Sequence, residues 1–281
     1  IKSRLEQTGT MNDHAAKAWA INTALAGAWG SQRTITTKLH GVIKTYKLDL
    51  PQHKTASNFS NTPHVEWKSI ANTLGYINIR NLQDPETIAR FDEGLNNLKD
   101  SKGLVIDLRE TRLGGNTFIA RAILGRFINK ELPYQKHLKQ EKMDGVEVTR
   151  SWLEMVSPRG DWQNHKPIVV LVNYWTASMG EGIAIAFDGL QRATVIGTRM
   201  GRLAGAVQSF TLPNTGIVIG FPTEKLFHIK GTAREHYTPN ILIDLLNDKY
   251  AEIDDPIYQV GLSVLTKKTA KLTKELHDKH N

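Results

Sequence analysis

Two hydrophobic periods divide the chain. Apolar residues every three or four positions predict helices, and alternating or continuous β-branched runs predict strands. "NDHAAKAWAINTALAG" reads as a helix that Asn12 or Asp13 caps, alanines favour and Gly27 ends. β-Branched alternation from Thr34 to Lys47 reads as strands, and Leu50 to Pro63 as a polar loop or linker. "LGYINIR" is a strand. "DPETIARFDEGLNNLKD" is a helix with Asp84 as its cap and Pro85 at its first position; Ile88, Phe91, Leu95 and Leu98 share one face.

"GLVIDL" (Gly103 to Leu108) is a strand of the buried type. The glycine-containing loop "RETRLGGN" and the amphipathic helix "NTFIARAILGRFIN" follow it. Pro133 to Lys166 reads as irregular, with one strand in Val146 to Leu153. Then come the strand "PIVVLVN", a helix from Met179 to Leu190 and the strand "ATVIG". "AVQSFTLPNTGIVIGF" is a hairpin turning at Asn214 and Gly216. "DDPIYQVGLSVL" starts a last helix, capped by Asp254 or Asp255 with Pro256 in its first turn. This order predicts an α/β core. Residues 1–63 are expected to form an N-terminal helix, short strands and a linker packing on a core of residues 64–281.

The 281 residues are 40% apolar and 23% charged, enough to bury a core, which argues against disorder. No apolar run approaches the roughly 18 residues that cross a bilayer. A chain opening on Ile1 reads as trimmed or processed. The absence of cysteine removes disulfides, thiolate zinc sites and cysteine nucleophiles. The net charge is +8, and Lys267, Lys268, Lys271, Lys274 and Lys279 carry part of it late in the chain. That run reads as a solvated helix face and not a nucleic-acid site. Zinc-finger, Walker and basic-aromatic RNA patterns are missing. No metal or cofactor is expected.

The chemistry points to "KPIVVLVNYWTASMGEGIAIAF". A buried-type strand ends near Asn173, Ser178 stands on the corner, and a helix of small residues follows. The Gly114-Gly115 loop after "GLVIDL" has the same construction. Helix N-termini present free N–H groups and a positive dipole end. Two such ends aimed at one point form an oxyanion hole. One donor would be the N–H of Met179 or of Ser178 itself, the other that of Gly114 or Gly115. "TASMG" is not the G-x-S-x-G elbow, since Thr176 replaces its first glycine. Read without context, Ser178 is first of all a helix N-cap and Gly180 a packing residue. A serine nucleophile also needs a base, and spacing does not choose among ten histidines.

"GLVIDLRETRLGGN", "KPIVVLVNYWTASMGEGIAIAFDGLQRATVIGT", "GAVQSFTLPNTGIVIGFPTEKLFH" and "REHYTPNILID" occur in the order seen in tail-specific, or C-terminal processing, serine peptidases. The chain resembles that family, including its tricorn-core branch, from about Gly75 to Asp244. The resemblance implies a crotonase-like spiral α/β core, Ser178 as nucleophile, and oxyanion donors from Gly114, Gly115 and Met179. Three departures stand out. The lysine of the family's Ser–Lys dyad is missing from "TRMGRLAGAVQ", and neither Arg199 nor Arg202 can act as a base there. The glycine loop has an extra residue, with Leu113 where a proline is usual. The segment before Gly75 looks too short for a PDZ domain.

The tricorn-like branch implies a Ser–His–Glu solution instead. His14 of "NDHAAKAW" would take the Ser178 proton, and Glu235 of "GTAREHYTPNILID" would hold the imidazole. His228 and Glu224 are the rival base and carboxylate. The expected activity is hydrolysis of peptide bonds in an unstructured polypeptide tail bound in extended form. A non-catalytic peptide-binding relative is the alternative, and an acyl-CoA-type enzyme ranks third. The resemblance suggests an exported bacterial protein; a cytoplasmic one, and an oligomer, are also compatible with the sequence.

Overall fold

The computed structural model describes residues 20–21, 23–25, 32–39, 41–48, 63–71, 73–112, 114–245 and 247–278. The chain divides into two compact units, Ile1–Pro63 and His64–Asn281. The described part of the first contains an antiparallel hairpin of β1 (Arg33–Leu39) and β2 (Val42–Leu48). It turns at Gly41, whose φ of +80° suits glycine.

The second unit is built on a six-stranded sheet ordered β12-β9-β8-β5-β4-β3. Its strands are β3 (Val65–Ile70), β4 (Leu74–Ile79), β5 (Leu104–Asp107), β8 (Ile168–Val172), β9 (Ala193–Gly197) and β12 (Ile241–Leu242). All pairings are parallel except β3 with β4. The middle strands "LVID" and "IVVLV" are buried along their whole length, because helices cover both faces.

On one face Ile77, Ile106 and Val170 pack with α1 (Glu86–Asn97), α2 (Thr117–Leu124) and α3 (Met179–Gly189). On the other, Val105, Val169 and Leu171 pack with Ile257 and Leu265 of α4 (Pro256–Asp278). The predicted face of α1 is buried at Phe91, Leu95 and Leu98, with Ile88 packed at its margin. Asp84 receives the Glu86 N–H at 2.8 Å, as a capping carboxylate does. Asp255, not Asp254, caps α4 by accepting the Tyr258 N–H at 3.1 Å. Arg109 binds both Asp255 and Asp107, and so ties the start of α4 to the end of β5. Burial opposes the Arg109 charge, but these two carboxylates hold its pKa above the ordinary arginine value.

A second, antiparallel sheet is ordered β10-β11-β6-β7. It contains β6 (Leu132–Met143), β7 (Val146–Val156), β10 (Gly205–Thr211) and β11 (Val218–Phe227). The β10–β11 hairpin lies where the sequence predicts it. Pro133 to Lys166, expected to be mostly irregular, instead opens with the long β6–β7 hairpin. Asp144 and Gly145 turn it with φ of +51° and +82°, the pattern of a tight Asp-Gly hairpin turn. The last helix also runs well beyond "DDPIYQVGLSVL", taking in most of the basic tail.

Candidate active site

Both sequence-predicted corners lie at the carboxyl ends of parallel strands and are stitched together. After β8, buried Thr176 donates its hydroxyl to Leu108 O at 2.9 Å and accepts the Asn173 N–H at 3.0 Å. Ala177 N donates to Thr111 O at 3.0 Å. Thr111 in turn donates its hydroxyl to Ile79 O at 2.6 Å. Thr176 therefore has a structural reason to replace the glycine of a hydrolase elbow: its hydroxyl holds the β8 corner against the β5 corner.

Ser178 has φ +53° and ψ −113°. A non-glycine residue held there costs of order 1–3 kcal/mol and persists only when its surroundings impose it. The imposing group is Glu181, which is fully buried. Its carboxylate accepts N–H groups from Ser178 at 2.9 Å, Arg202 at 2.8 Å and Leu203 at 3.3 Å. Arg234, also buried, has its Nε 3.9 Å from the same carboxylate and 2.7 Å from Leu203 O. Its two Nη atoms reach Ser178 O at 3.4 Å and Gly205 O at 3.2 Å. Burial pushes the Glu181 carboxyl up, opposed by Arg234 and the three N–H groups. Burial also pulls the Arg234 guanidinium down, opposed by Glu181 and Glu235.

The glycine loop closes on the serine. Gly114 has φ +68°, and a Cβ there would fall 2.4 Å from Ser178 Cβ and 2.6 Å from its Oγ. A Cβ on Gly115 would meet Leu82 O at 2.2 Å. Asn116 donates its N–H to the same Leu82 O at 2.8 Å and caps α2 by accepting the Phe118 N–H at 2.7 Å. The Ser178 N–H is committed to Glu181, so of the two donors the sequence left open on this corner, Met179 is the one with a free N–H. Among the described residues the Met179, Gly114 and Gly115 N–H groups have no hydrogen-bond partner.

Ser178, Met179 and Gly115 line a cleft of about 480 Å³. Gln135, His137 and Arg234 line it as well, together with Ala206, Val207 and Leu226 from the second sheet. Of the other residues singled out in the sequence, His14 lies outside the described residues. Glu235 sits on the short turn Arg234–His236, and its carbonyl accepts Arg202 Nε at 3.0 Å; it is not in the cleft lining. His228 is buried away from the cleft, 3.3 Å from Asp188 and stacked on Tyr237. Glu224 stands 3.1 Å from His137 Nδ1. Among the described residues neither a histidine nor a carboxylate hydrogen-bonds to Ser178 Oγ.

The sequence reading missed His137, because β6 was not recognised. The Asp144-Gly145 pair between two residue runs of strand length was the signal that could have found it.

Metal-type donors cluster once among the described residues, at His64, Asp84 and Glu86, with ligand atoms within 4.8 Å of one another. Asp84 already caps α1 there, and a helix N-terminus repels cations. Among the described residues no helix is long and apolar enough to cross a membrane.

The sequence profile of peptidase family S41 matches residues 73–243, more than half of the chain. The chain belongs to peptidase family S41. This S41 chain is 26% identical over 241 residues to the carboxy-terminal-processing protease of Bartonella bacilliformis, covering 82% of itself and 51% of that relative. It thus spans about half the length of the curated relative that it matches. Its fold is similar to the photosystem II D1 C-terminal processing protease, with a TM-score of 0.53 and 20% identity over 78% of this chain and 57% of the other. It is also similar to mature CPAF complexed with lactacystin, with a TM-score of 0.64 and 14% identity over 95% and 74% of the two chains. These likenesses agree with the resemblance to C-terminal processing peptidases and with an α/β fold.

Proposed function

We propose that this S41 chain is a serine peptidase that cleaves unstructured polypeptide tails through an acyl-enzyme. The observation that carries this reading is Ser178 at φ +53°, with Gly114 packed against its hydroxyl. Ser178 Oγ attacks the scissile carbonyl. The N–H of Met179 and those of Gly114 and Gly115 stabilise the tetrahedral oxyanion. The lysine of the Ser–Lys members has no counterpart, so a histidine steadied by a carboxylate serves as base. His14 and Glu235 take these roles in the tricorn-like reading. The core is then of the crotonase-like type, and the protein is exported.

The substrate lies extended along β10. That strand is an edge of its sheet, and Gly205, Ala206 and Val207 at its start line the cleft. An unpaired edge offers backbone donors and acceptors to an added strand, which needs no fixed tail sequence.

The test is exposure to a fluorophosphonate probe, with intact mass and peptide mapping, beside hydrolysis of an unstructured tail peptide. A single adduct on Ser178, and hydrolysis abolished by Ser178→Ala, are expected. A folded protein with neither adduct nor hydrolysis would leave the second reading, a peptide-binding relative without turnover. The lack of any histidine or carboxylate bonded to Ser178 Oγ among the described residues motivates that reading.

A further inference from the structure

Gln135 and His137 are polar, buried and placed on the wall of the Ser178 cleft. Nothing in the proposed acyl transfer uses them. A register shift between Pro133 and Gln135 interrupts the β6–β7 ladder just before them. Such bulges re-aim the side chains that follow. His137 stacks on Trp152, with ring centroids 4.8 Å apart, and is held from behind by Glu224.

The hydrogen-bond directions in this cluster are fixed in sequence. An ionised carboxylate can only accept, so His137 Nδ1 carries the proton that faces Glu224 at 3.1 Å. In the neutral imidazole His137 Nε2 is then an acceptor, and Gln135 Nε2 donates to it at 3.0 Å. The amide orientation follows, and Gln135 Oε1 is left as a buried acceptor without a partner among the described residues. That oxygen lies beside Gly182 on α3, where a Cβ would be 3.3 Å away. The group left to meet a ligand, Gln135 Oε1, accepts hydrogen bonds, since the one lone pair of His137 Nε2 is already taken by the Gln135 amide, and the Glu224 carboxylate holds the pair from the far side of the imidazole. Arg234 adds little opposing charge to the wall, since Glu181 faces it.

We propose that Gln135 and His137, oriented by Glu224, form a specificity pocket beside Ser178 that selects a substrate side chain donating hydrogen bonds, an amide or a basic group, over apolar and acidic ones. The inference rests on the cleft being the peptide site of the proposed function. A pocket with this acceptor gains its missing partner when such a side chain enters. It rejects an apolar one because the acceptor stays buried and unpaired, and an acidic one by repulsion.

The experiment measures binding to Ser178→Ala protein, which does not turn over, by fluorescence anisotropy. The labelled peptides differ only at one residue, carrying Gln, Lys, Leu or Glu at each position in turn. At one position Gln and Lys should bind at least about tenfold tighter than Leu and Glu. Adding Gln135→Leu should remove that preference, and Gln135→Glu should shift it toward Lys. Equal binding of Gln, Lys and Leu at every position overturns the inference, whether or not either variant folds. A preference that survives Gln135→Leu in folded protein also overturns it. Selective binding by a protein whose wild type hydrolyses none of these peptides supports the pocket and removes the peptidase reading instead.

Discussion

Glu181 accepts the backbone N–H of Ser178 at 2.9 Å, from a side chain that is itself fully buried. The same carboxylate binds the N–H groups of Arg202 and Leu203, just before β10 begins. One side chain thus sets the backbone of the proposed nucleophile and the start of the strand proposed to bind substrate. It also removes the Ser178 N–H from the proposed oxyanion hole, where Met179 is then the proposed donor.

Glu181→Gln keeps the size of the side chain but turns an NH2 group toward at least one backbone N–H. The expected loss of stability is about 1–3 kcal/mol in urea titrations, the cost of leaving a buried donor unpaired. Fluorophosphonate labelling of Ser178 should slow at least about tenfold, since the strained corner is no longer imposed. Labelling at the wild-type rate would show that the corner holds its shape by other means.

Gly114→Ala introduces a methyl group against the Ser178 side chain at a backbone φ of +68°. The left-handed backbone alone costs about 1–2 kcal/mol. Labelling and hydrolysis should fall by about 10²–10³-fold, the value of an oxyanion donor. Comparison of the probe rate with the urea midpoint separates the two effects.

The two histidine assignments differ sharply in what they predict. His14→Ala should cost about 10²–10⁴-fold in hydrolysis if His14 is the base. His228→Ala should leave hydrolysis near wild type and lower stability instead, because that imidazole sits between Asp188 and Tyr237, outside the cleft. Rates and melting curves for both variants decide it, and a reversed ranking would remove His14 from the mechanism.

Asp188 gives a pH dependence with a definite sign. The His228 imidazole 3.3 Å away, helped by the hydrogen bond from Asn240, outweighs burial and lowers the Asp188 pKa to about 2. A depressed carboxyl contributes stability above its unfolded value of about 3.9 and loses it as the pH falls through about 2. Asp188→Asn should therefore be less stable than wild type at neutral pH, and the gap should close across that acid range. Parallel urea titrations from neutral pH to pH 2 measure the difference.

Most of the six-stranded sheet was legible because its signals are local. "GLVIDL" and "PIVVLVN" are short apolar runs ended by polar corners, and that composition suits a strand covered on both faces. The corners that carry Ser178 and Gly114 were legible for the same reason, each following such a strand, and the structure brings the two residues side by side. What failed was β6. Gln135, Lys136, His137, Lys139 and Gln140 suggest solvent, yet Gln135 and His137 are buried because carboxylate and amide partners replace water. Gln135 and His137 pair with each other two residues apart on β6, but the Glu224 carboxylate that completes the cluster lies far off in sequence, on β11. The contact of Arg234 with Glu181 was hidden likewise, since it spans more than fifty residues and leaves no periodic trace, whereas the bond of Glu181 to the Ser178 N–H spans only three and carries a local signal, Ser178-x-x-Glu181, that went unread. The cap of α4 was ambiguous in the sequence between two neighbouring aspartates; the Tyr258 N–H bonds to Asp255, which Arg109 also holds from the end of β5.

The cleft draws its walls from two different sheets. Ser178, Met179 and Gly115 follow strands of the six-stranded sheet, whereas Gln135, His137, Ala206, Val207 and Leu226 belong to the antiparallel one. The proposed reaction and the proposed selection therefore fall on separable pieces of the chain, joined near Glu181 and Arg234. A library confined to inward positions of β6, β10 and β11 could exchange one accepted tail for another while the bond-breaking corner is inherited intact.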